Sequence, residues 1–62
     1  MNNQLVYDFM SLKEPHRRWV QEEMNVTFHK GLHETDHDFS KRVLTEIENQ
    51  GKIRTLEVLL NT

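Results

Sequence analysis

Apolar residues recur along this chain at helical spacing in four separate stretches. In the first stretch they fall at i, i+1, i+4 and i+5, which is one face of a helix: Leu5, Val6, Phe9 and Met10. Asn2 or Asn3 stands just before them, and asparagine is a favourable N-cap residue. The pattern therefore predicts a first helix over residues 3–10.

The second stretch opens with Ser11 and, three residues later, Glu14. This spacing is typical of a capping box, in which each side chain bonds the backbone N–H of the other residue. Pro15 then falls in the first turn, where its missing N–H costs little. The helix is predicted to carry a Glu14–Arg18 pair at i, i+4 and to end at Asn25. Its apolar face continues through Trp19, Val20 and Met24.

Residues 25–35 lose the helical pattern, and Gly31 breaks any helix there. We interpret them as a loop that inserts apolar side chains into the core: Val26, Phe28 and Leu32. The aromatic residues Phe9, Trp19, Phe28 and Phe39 are likewise predicted to be core residues rather than binding residues.

The third stretch begins at Thr35, which is predicted to cap a helix, with Asp38 three residues on. Asp36 and Asp38 suit the positive end of the helix dipole, and Asp38 is expected to pair with Arg42 at i, i+4. The apolar stripe of this helix consists of Phe39, Val43, Leu44 and Ile47.

Gly51 fits the left-handed position that follows a helix C-terminus. The fourth helix is then predicted over residues 52–60, with Val58 off the apolar stripe and exposed. Its inward residues are Ile53, Leu56, Leu59 and Leu60. The sequence therefore predicts an all-α fold, a compact bundle of about four short helices forming a single domain over residues 1–62.

The size and composition of the chain limit what this domain can do. A chain of 62 residues buries only about 60% of its unfolded surface, so self-association or a partner would help to stabilise it. Its net charge of −2 argues against a dedicated nucleic-acid binder, which is normally basic. The absence of cysteine fits a reducing cytoplasm. No apolar run approaches the roughly 20 residues of a membrane span, and no secretory signal is visible.

His29, His33 and His37 follow one another at i, i+4 and i+8. On one continuous helix their rings would share a face and could hold zinc, nickel or copper. Gly31 and the cap at Thr35 break such a helix, so we expect a histidine-rich surface loop and no metal or cofactor. A metal site and a pH-responsive contact are the alternatives.

The sequence also argues against catalysis and against nucleic-acid binding. Ser11 and Ser40 lack a nucleophile-elbow motif, and so short a chain can hardly enclose a small-molecule pocket of about 300 Å³. Basic residues occur at 16–18, at 41–42 and at 52 and 54, but acidic residues in the third helix would repel phosphates. We therefore predict that the protein is not an enzyme, and retain a small dimeric nucleic-acid-binding regulator as the alternative function.

The segment DFSKRVLTEIENQGKIRTLEVLL resembles the C-terminal part of bacterial effector-associated domains, which are death-fold-like helical adaptors. Those domains often finish with an apolar-striped helix, a Gly-Lys-Leu or Gly-Arg-Leu turn and a short last helix. Gly51, Lys52 and Ile53 stand at the corresponding turn. The resemblance implies homotypic protein–protein docking in a bacterial defence or signalling complex. The family's domains are generally longer, with five or six helices, and are fused to an effector.

The predicted function is a small non-enzymatic protein–protein interaction module that docks on a partner protein or on a second copy. It would act as a cytoplasmic adaptor, or as a phage- or plasmid-encoded inhibitor. Charged side chains at such surfaces tune association rate and specificity, and an exposed tyrosine can anchor a partner. The predicted contact residues are Tyr7, Arg17, Arg18, Lys52, Arg54 and Val58.

Overall fold

The computed structural model describes residues 3–62, and their regular structure consists of four helices without a strand. The helices are α1 (Asn3–Met10), α2 (Glu14–Glu23), α3 (Asp36–Asn49) and α4 (Ile53–Leu60). The prediction of an all-α bundle is confirmed. Asn3 is already part of α1, and the alternative cap, Asn2, lies outside the described residues. Of the helices described, none is long and apolar enough to cross a membrane.

The core forms where the apolar stripes of the four helices meet. α1 packs mainly on α3, while α4 contacts each of the other three helices. Full burial of one Leu, Ile or Phe side chain contributes about 1.5–3 kcal/mol, so this small set carries most of the stabilisation. The buried apolar residues are Leu5, Val6, Phe9, Val20, Met24, Val26, Phe39, Val43, Leu44, Ile47 and Leu56.

Three predicted helix ends are confirmed. The Thr35 side chain accepts a hydrogen bond from the backbone N–H of Asp38 at 3.1 Å, which caps α3. Gly51 follows α3 with φ +72°, and Asn25 follows α2 with φ +57°. Glycine and asparagine tolerate this left-handed conformation better than other residues. Each therefore lets the chain turn sharply into the next segment.

The predicted capping box at Ser11 is wrong. The Ser11 hydroxyl donates to the Tyr7 carbonyl at 2.8 Å, so it satisfies the C-terminal end of α1 instead of opening α2. Lys13 occupies the N-cap position of α2 and makes no side-chain capping bond. Pro15 does lie in the first turn, and the Glu14–Arg18 pair is present at 3.0 Å.

Two residues predicted to be in the core are exposed instead. Leu32 is 93% exposed, because it follows Gly31 in a part of the loop that is held by polar contacts. Trp19 is 36% exposed and lies against His16, with ring centroids 5.5 Å apart. Neighbouring residues of a helix point about 100° apart, and Val20 takes the inward position of this pair.

Candidate functional site

A groove of about 610 Å³ lies between α2, the loop that follows it and the start of α3. We call it the α2 groove. It is open at the surface, since most of its lining residues are exposed, and it is larger than the sequence led us to expect. α2 contributes Glu14, Arg17, Arg18, Gln21 and Glu22. The loop and α3 contribute Thr27, Phe28, His29, Lys30, Asp36 and Phe39.

The α2 wall of this groove follows directly from helix geometry. Its five residues stand at i, i+3, i+4, i+7 and i+8, which is one face of an α-helix. Four of them are charged, and Arg17 and Arg18 lie side by side in the middle. The spacing of these charges was readable from the sequence, whereas the opposite wall is formed mainly by the loop, whose conformation was not readable.

Gln21 fastens the loop to α2. Its side chain is buried, and its Nε2 donates to the carbonyl oxygens of Val26 at 3.0 Å and Phe28 at 3.3 Å. Buried polar groups are stable only when they are hydrogen-bonded, so these bonds satisfy both the glutamine amide and two loop carbonyls. Sequence analysis missed this role because a glutamine on a helix face is ordinarily solvated.

Arg42 holds the other side of the loop from α3. Its guanidinium makes two parallel bonds to the Glu34 carboxylate, Nε to Oε2 at 3.0 Å and Nη2 to Oε1 at 2.9 Å. Nη2 also donates to the His29 carbonyl at 2.8 Å. The same group lies over the rings of Phe28 and Phe39, 5.1 Å and 5.5 Å from their centroids. We call the Arg42–Glu34 pair with these contacts the Arg42 latch.

The electrostatics of the latch favour the charged forms of both partners. The hydrogen bonds from Arg42, together with one from the Gly31 backbone N–H, lower the pKa of Glu34 to about 2. The same contact raises the pKa of Arg42. The predicted Asp38–Arg42 pair is wrong, because Glu34 offers the guanidinium a two-bond geometry that is stronger than a single contact.

The remaining charges of the groove are unevenly paired. Arg18 bonds Glu14 at 3.0 Å, and Lys30 bonds Asp36 at 2.7 Å. Arg17 makes no side-chain hydrogen bond or ion pair within residues 3–62. Lys30 lowers the pKa of Asp36, and the nearby charge of Arg17 lowers it further. The half-buried Arg17 is thus a cation with unused donors in the lining of the groove.

The structure distributes the six predicted contact residues over three places. Arg17 and Arg18 share the α2 groove. The second place is α1, where Tyr7 is 54% exposed and its ring lies 5.7 Å from that of His37. The third is α4 and its N-cap, with Lys52, Arg54 and Val58 all exposed. Val58 was correctly predicted to be exposed.

The three histidines do not come together. His29 and His33 lie in the loop, while His37 belongs to α3, so the helix break predicted between them is present. Within residues 3–62, no group of three or more His, Asp or Glu side chains is placed to hold a metal ion. The His29 backbone carbonyl instead serves as an acceptor for Arg42.

Comparisons with family models, with curated proteins and with solved structures found no match to this chain.

Proposed function

We propose that this protein is a small non-enzymatic interaction module that docks on a partner protein through the α2 groove. The observation that carries the proposal is the fastening of an irregular loop from both sides, by Gln21 on α2 and by Arg42 on α3. Binding residues are often found on loops that a rigid scaffold positions. Here the scaffold presents two arginines beside an aromatic ring.

The composition of the groove supports a protein partner. Arginine and aromatic side chains are enriched among the residues that dominate binding energy at protein interfaces. Arg17 and Arg18 supply the charged donors, and the half-buried ring of Phe28 supplies apolar surface. A groove of about 610 Å³ that is open along the surface suits side chains projecting from another chain.

The hydrogen bonds of Gln21 and the Arg42 latch also preorganise the groove for binding. Fixing the backbone of one residue costs roughly 1–2 kcal/mol in conformational entropy. When a loop becomes ordered only on binding, this cost reduces the favourable free energy of binding. Gln21 and Arg42 order the loop in the unbound protein through hydrogen bonds to Val26, Phe28 and His29. Most of the entropy cost of ordering the loop is therefore part of folding and does not reduce the affinity.

The other predicted contact residues distinguish two kinds of module, an inhibitor and an adaptor. An inhibitor needs a single docking face, whereas an adaptor needs a second face. The outer side of α4 offers one, with Arg54 and Val58 one helical turn apart and Val58 67% exposed. In line with the resemblance to effector-associated domains, we place this module in the cytoplasm, in a bacterial defence or signalling complex or as a phage- or plasmid-encoded regulator.

The test is a tagged pull-down from nuclease-treated bacterial lysate with three proteins. The wild type is compared with an Arg17→Glu/Arg18→Glu variant and with a Lys52→Glu/Arg54→Glu variant, which carries the same change of charge on α4. We expect a protein captured in a stoichiometric amount by the wild type to be lost from the Arg17/Arg18 variant and retained by the other.

Circular dichroism must show that both variants keep the helical content and melting behaviour of the wild type. A partner that is retained by a folded Arg17/Arg18 variant would refute the assignment to the groove. A partner lost only from the Lys52/Arg54 variant would move the docking site to α4.

A further inference from the structure

We propose that the occupant of the α2 groove is an acidic segment of the partner protein, in which a carboxylate side chain stands beside an apolar one. The carboxylate binds Arg17, and the apolar side chain packs on Phe28. This inference rests on the proposed function and specifies the chemistry of its ligand.

Arg17 is the group that selects a carboxylate. A guanidinium carries five N–H donors in a planar fork, which matches both oxygens of a carboxylate. Within the described chain the side chain of Arg17 bonds to no acceptor, and Asp36, whose pKa the charge of Arg17 lowers, accepts from Lys30 at 2.7 Å. Arg17 is also half-buried, so a contact with it is less screened by water than one at a fully exposed site.

The neighbouring ion pairs do not oppose this contact. Arg18 and Glu14 are 70% and 71% exposed and share one short contact, and the Lys30–Asp36 pair is also exposed. Exposed ion pairs contribute little to stability, so Arg18 and Lys30 can reorient toward a second carboxylate at small cost. These two ion pairs and Arg17 together comprise three cations and two carboxylates.

Glu22 makes the distribution of charge along the groove asymmetric. It lies beyond Arg17 toward the C-terminal end of α2 and has no ion-pair partner among residues 3–62. The groove is therefore positive near Arg17 and negative near Glu22. We infer that the bound segment places its acidic residue at the Arg17 end and a neutral or basic residue at the Glu22 end.

The same charges favour a peptide over a nucleic acid. Glu14, Glu22 and Asp36 all line the groove, and a nucleic-acid backbone brings a negative charge at every nucleotide. A peptide with one carboxylate brings a single negative charge to Arg17, beside which Asp36 is already paired with Lys30. Phe28 then offers its ring as the apolar part of the contact, since Arg42 lies over that ring at 5.1 Å and holds it in place.

The experiment is selection of random displayed peptides on the immobilised intact protein. The binding position of each enriched peptide is then mapped by amide chemical shifts of the labelled protein. We expect enriched peptides to contain Asp or Glu beside Leu, Ile, Phe or Trp, and to shift the amides of α2 and of residues 27–30. Replacing the peptide's acid by its amide should weaken binding about tenfold, which corresponds to about 1.4 kcal/mol.

Substitutions in the protein, instead of in the peptide, test the same contact. Arg17→Ala is expected to weaken binding about as much as the amide peptide does, and Arg17→Lys by less, because lysine keeps the charge but loses the fork. Lys41→Ala on α3, which removes an exposed cation that does not line the groove, is the control and should leave binding unchanged. The amide peptide keeps the test valid even if an Arg17 variant folds poorly.

The outcomes separate this inference from the proposed function. Peptides that bind the α2 groove without an acidic residue, or whose amide forms bind equally well, would overturn the inference and leave the groove as a docking site. If peptides shift only amides elsewhere, or if nothing is enriched, both the inference and the α2 groove as a docking site are refuted.

Discussion

The hydroxyl of Ser40 is buried in the middle of α3 and has no hydrogen-bond partner within the described chain. Burial of an unpaired hydroxyl costs roughly 1–3 kcal/mol, and alanine is also a better helix former than serine. We therefore expect Ser40→Ala to raise the free energy of unfolding by about 1 kcal/mol, measured by urea denaturation.

Ser11→Ala is the matched control for that substitution. The Ser11 hydroxyl is exposed and donates to the Tyr7 carbonyl at 2.8 Å, so its removal should leave the free energy of unfolding unchanged or slightly lower it. A loss of stability in Ser40→Ala would contradict the prediction and would indicate a water molecule bound at the buried hydroxyl.

Single residues also show where helical spacing stops being informative. The apolar positions of α2 predicted that the neighbours Trp19 and Val20 both face the core, but only Val20 does. Val20 is fully buried, while Trp19 lies at the edge of the bundle against His16. The pattern marks an apolar stripe, but the packing partners on either side decide where that stripe ends.

At the scale of the element, the turn after α3 depends on one glycine. Gly51 has φ +72°, and a Cβ atom at this position would meet nothing within 4 Å. The cost of a side chain there is therefore backbone strain alone, about 1–2 kcal/mol for the left-handed conformation. We expect Gly51→Ala to lower the free energy of unfolding by about 1 kcal/mol, measured by chemical denaturation.

Gly31→Ala provides the comparison. Its φ lies outside the left-handed region, and an added Cβ would be in ordinary contact with Glu34 at 3.5 Å. The substitution should therefore change stability less than Gly51→Ala does. Equal losses in the two variants would show that the turn after α3 carries no special strain.

Three helix ends were predictable because their signals are local, although the start of α2 was not. Thr35, Asn25 and Gly51 act on backbone groups only a few residues away. The loop between α2 and α3 was predicted, but its conformation was not, because Arg42 bonds a carbonyl 13 residues earlier in the chain. Sequence spacing offered Asp38 as its partner, and only the folded loop brings Glu34 into a better position.

At the scale of the whole molecule, the Arg42 latch joins the loop to the helical core, so the shape of the α2 groove depends in part on one ion pair. The Glu34 side chain is only 18% exposed. Its pKa is lowered to about 2 from an ordinary value of 4.5. A carboxyl group with a lowered pKa stabilises the folded state above its unfolded pKa and loses that contribution as the pH falls through the folded value. This contribution is thus complete above pH 4.5 and disappears between pH 4.5 and about 2.

We therefore expect the melting temperature of the wild type to fall as the pH is lowered from 4.5 toward 2, and the fall to be smaller in Glu34→Gln. Thermal unfolding followed by circular dichroism over a series of pH values measures both profiles. The loop is also one wall of the α2 groove, so amide exchange of residues 27–30 should accelerate over the same pH range, in the wild type more than in the variant.

Glu57→Gln separates the latch from the general effect of acid on a small protein. Glu57 is exposed on α4 and makes no ion pair within residues 3–62, so this variant should keep the pH profile of the wild type. If Glu34→Gln and Glu57→Gln followed the same profile, the latch would contribute nothing specific to stability. The loop would then be held chiefly by Gln21, whose amide bonds Val26 and Phe28 without a titrating group.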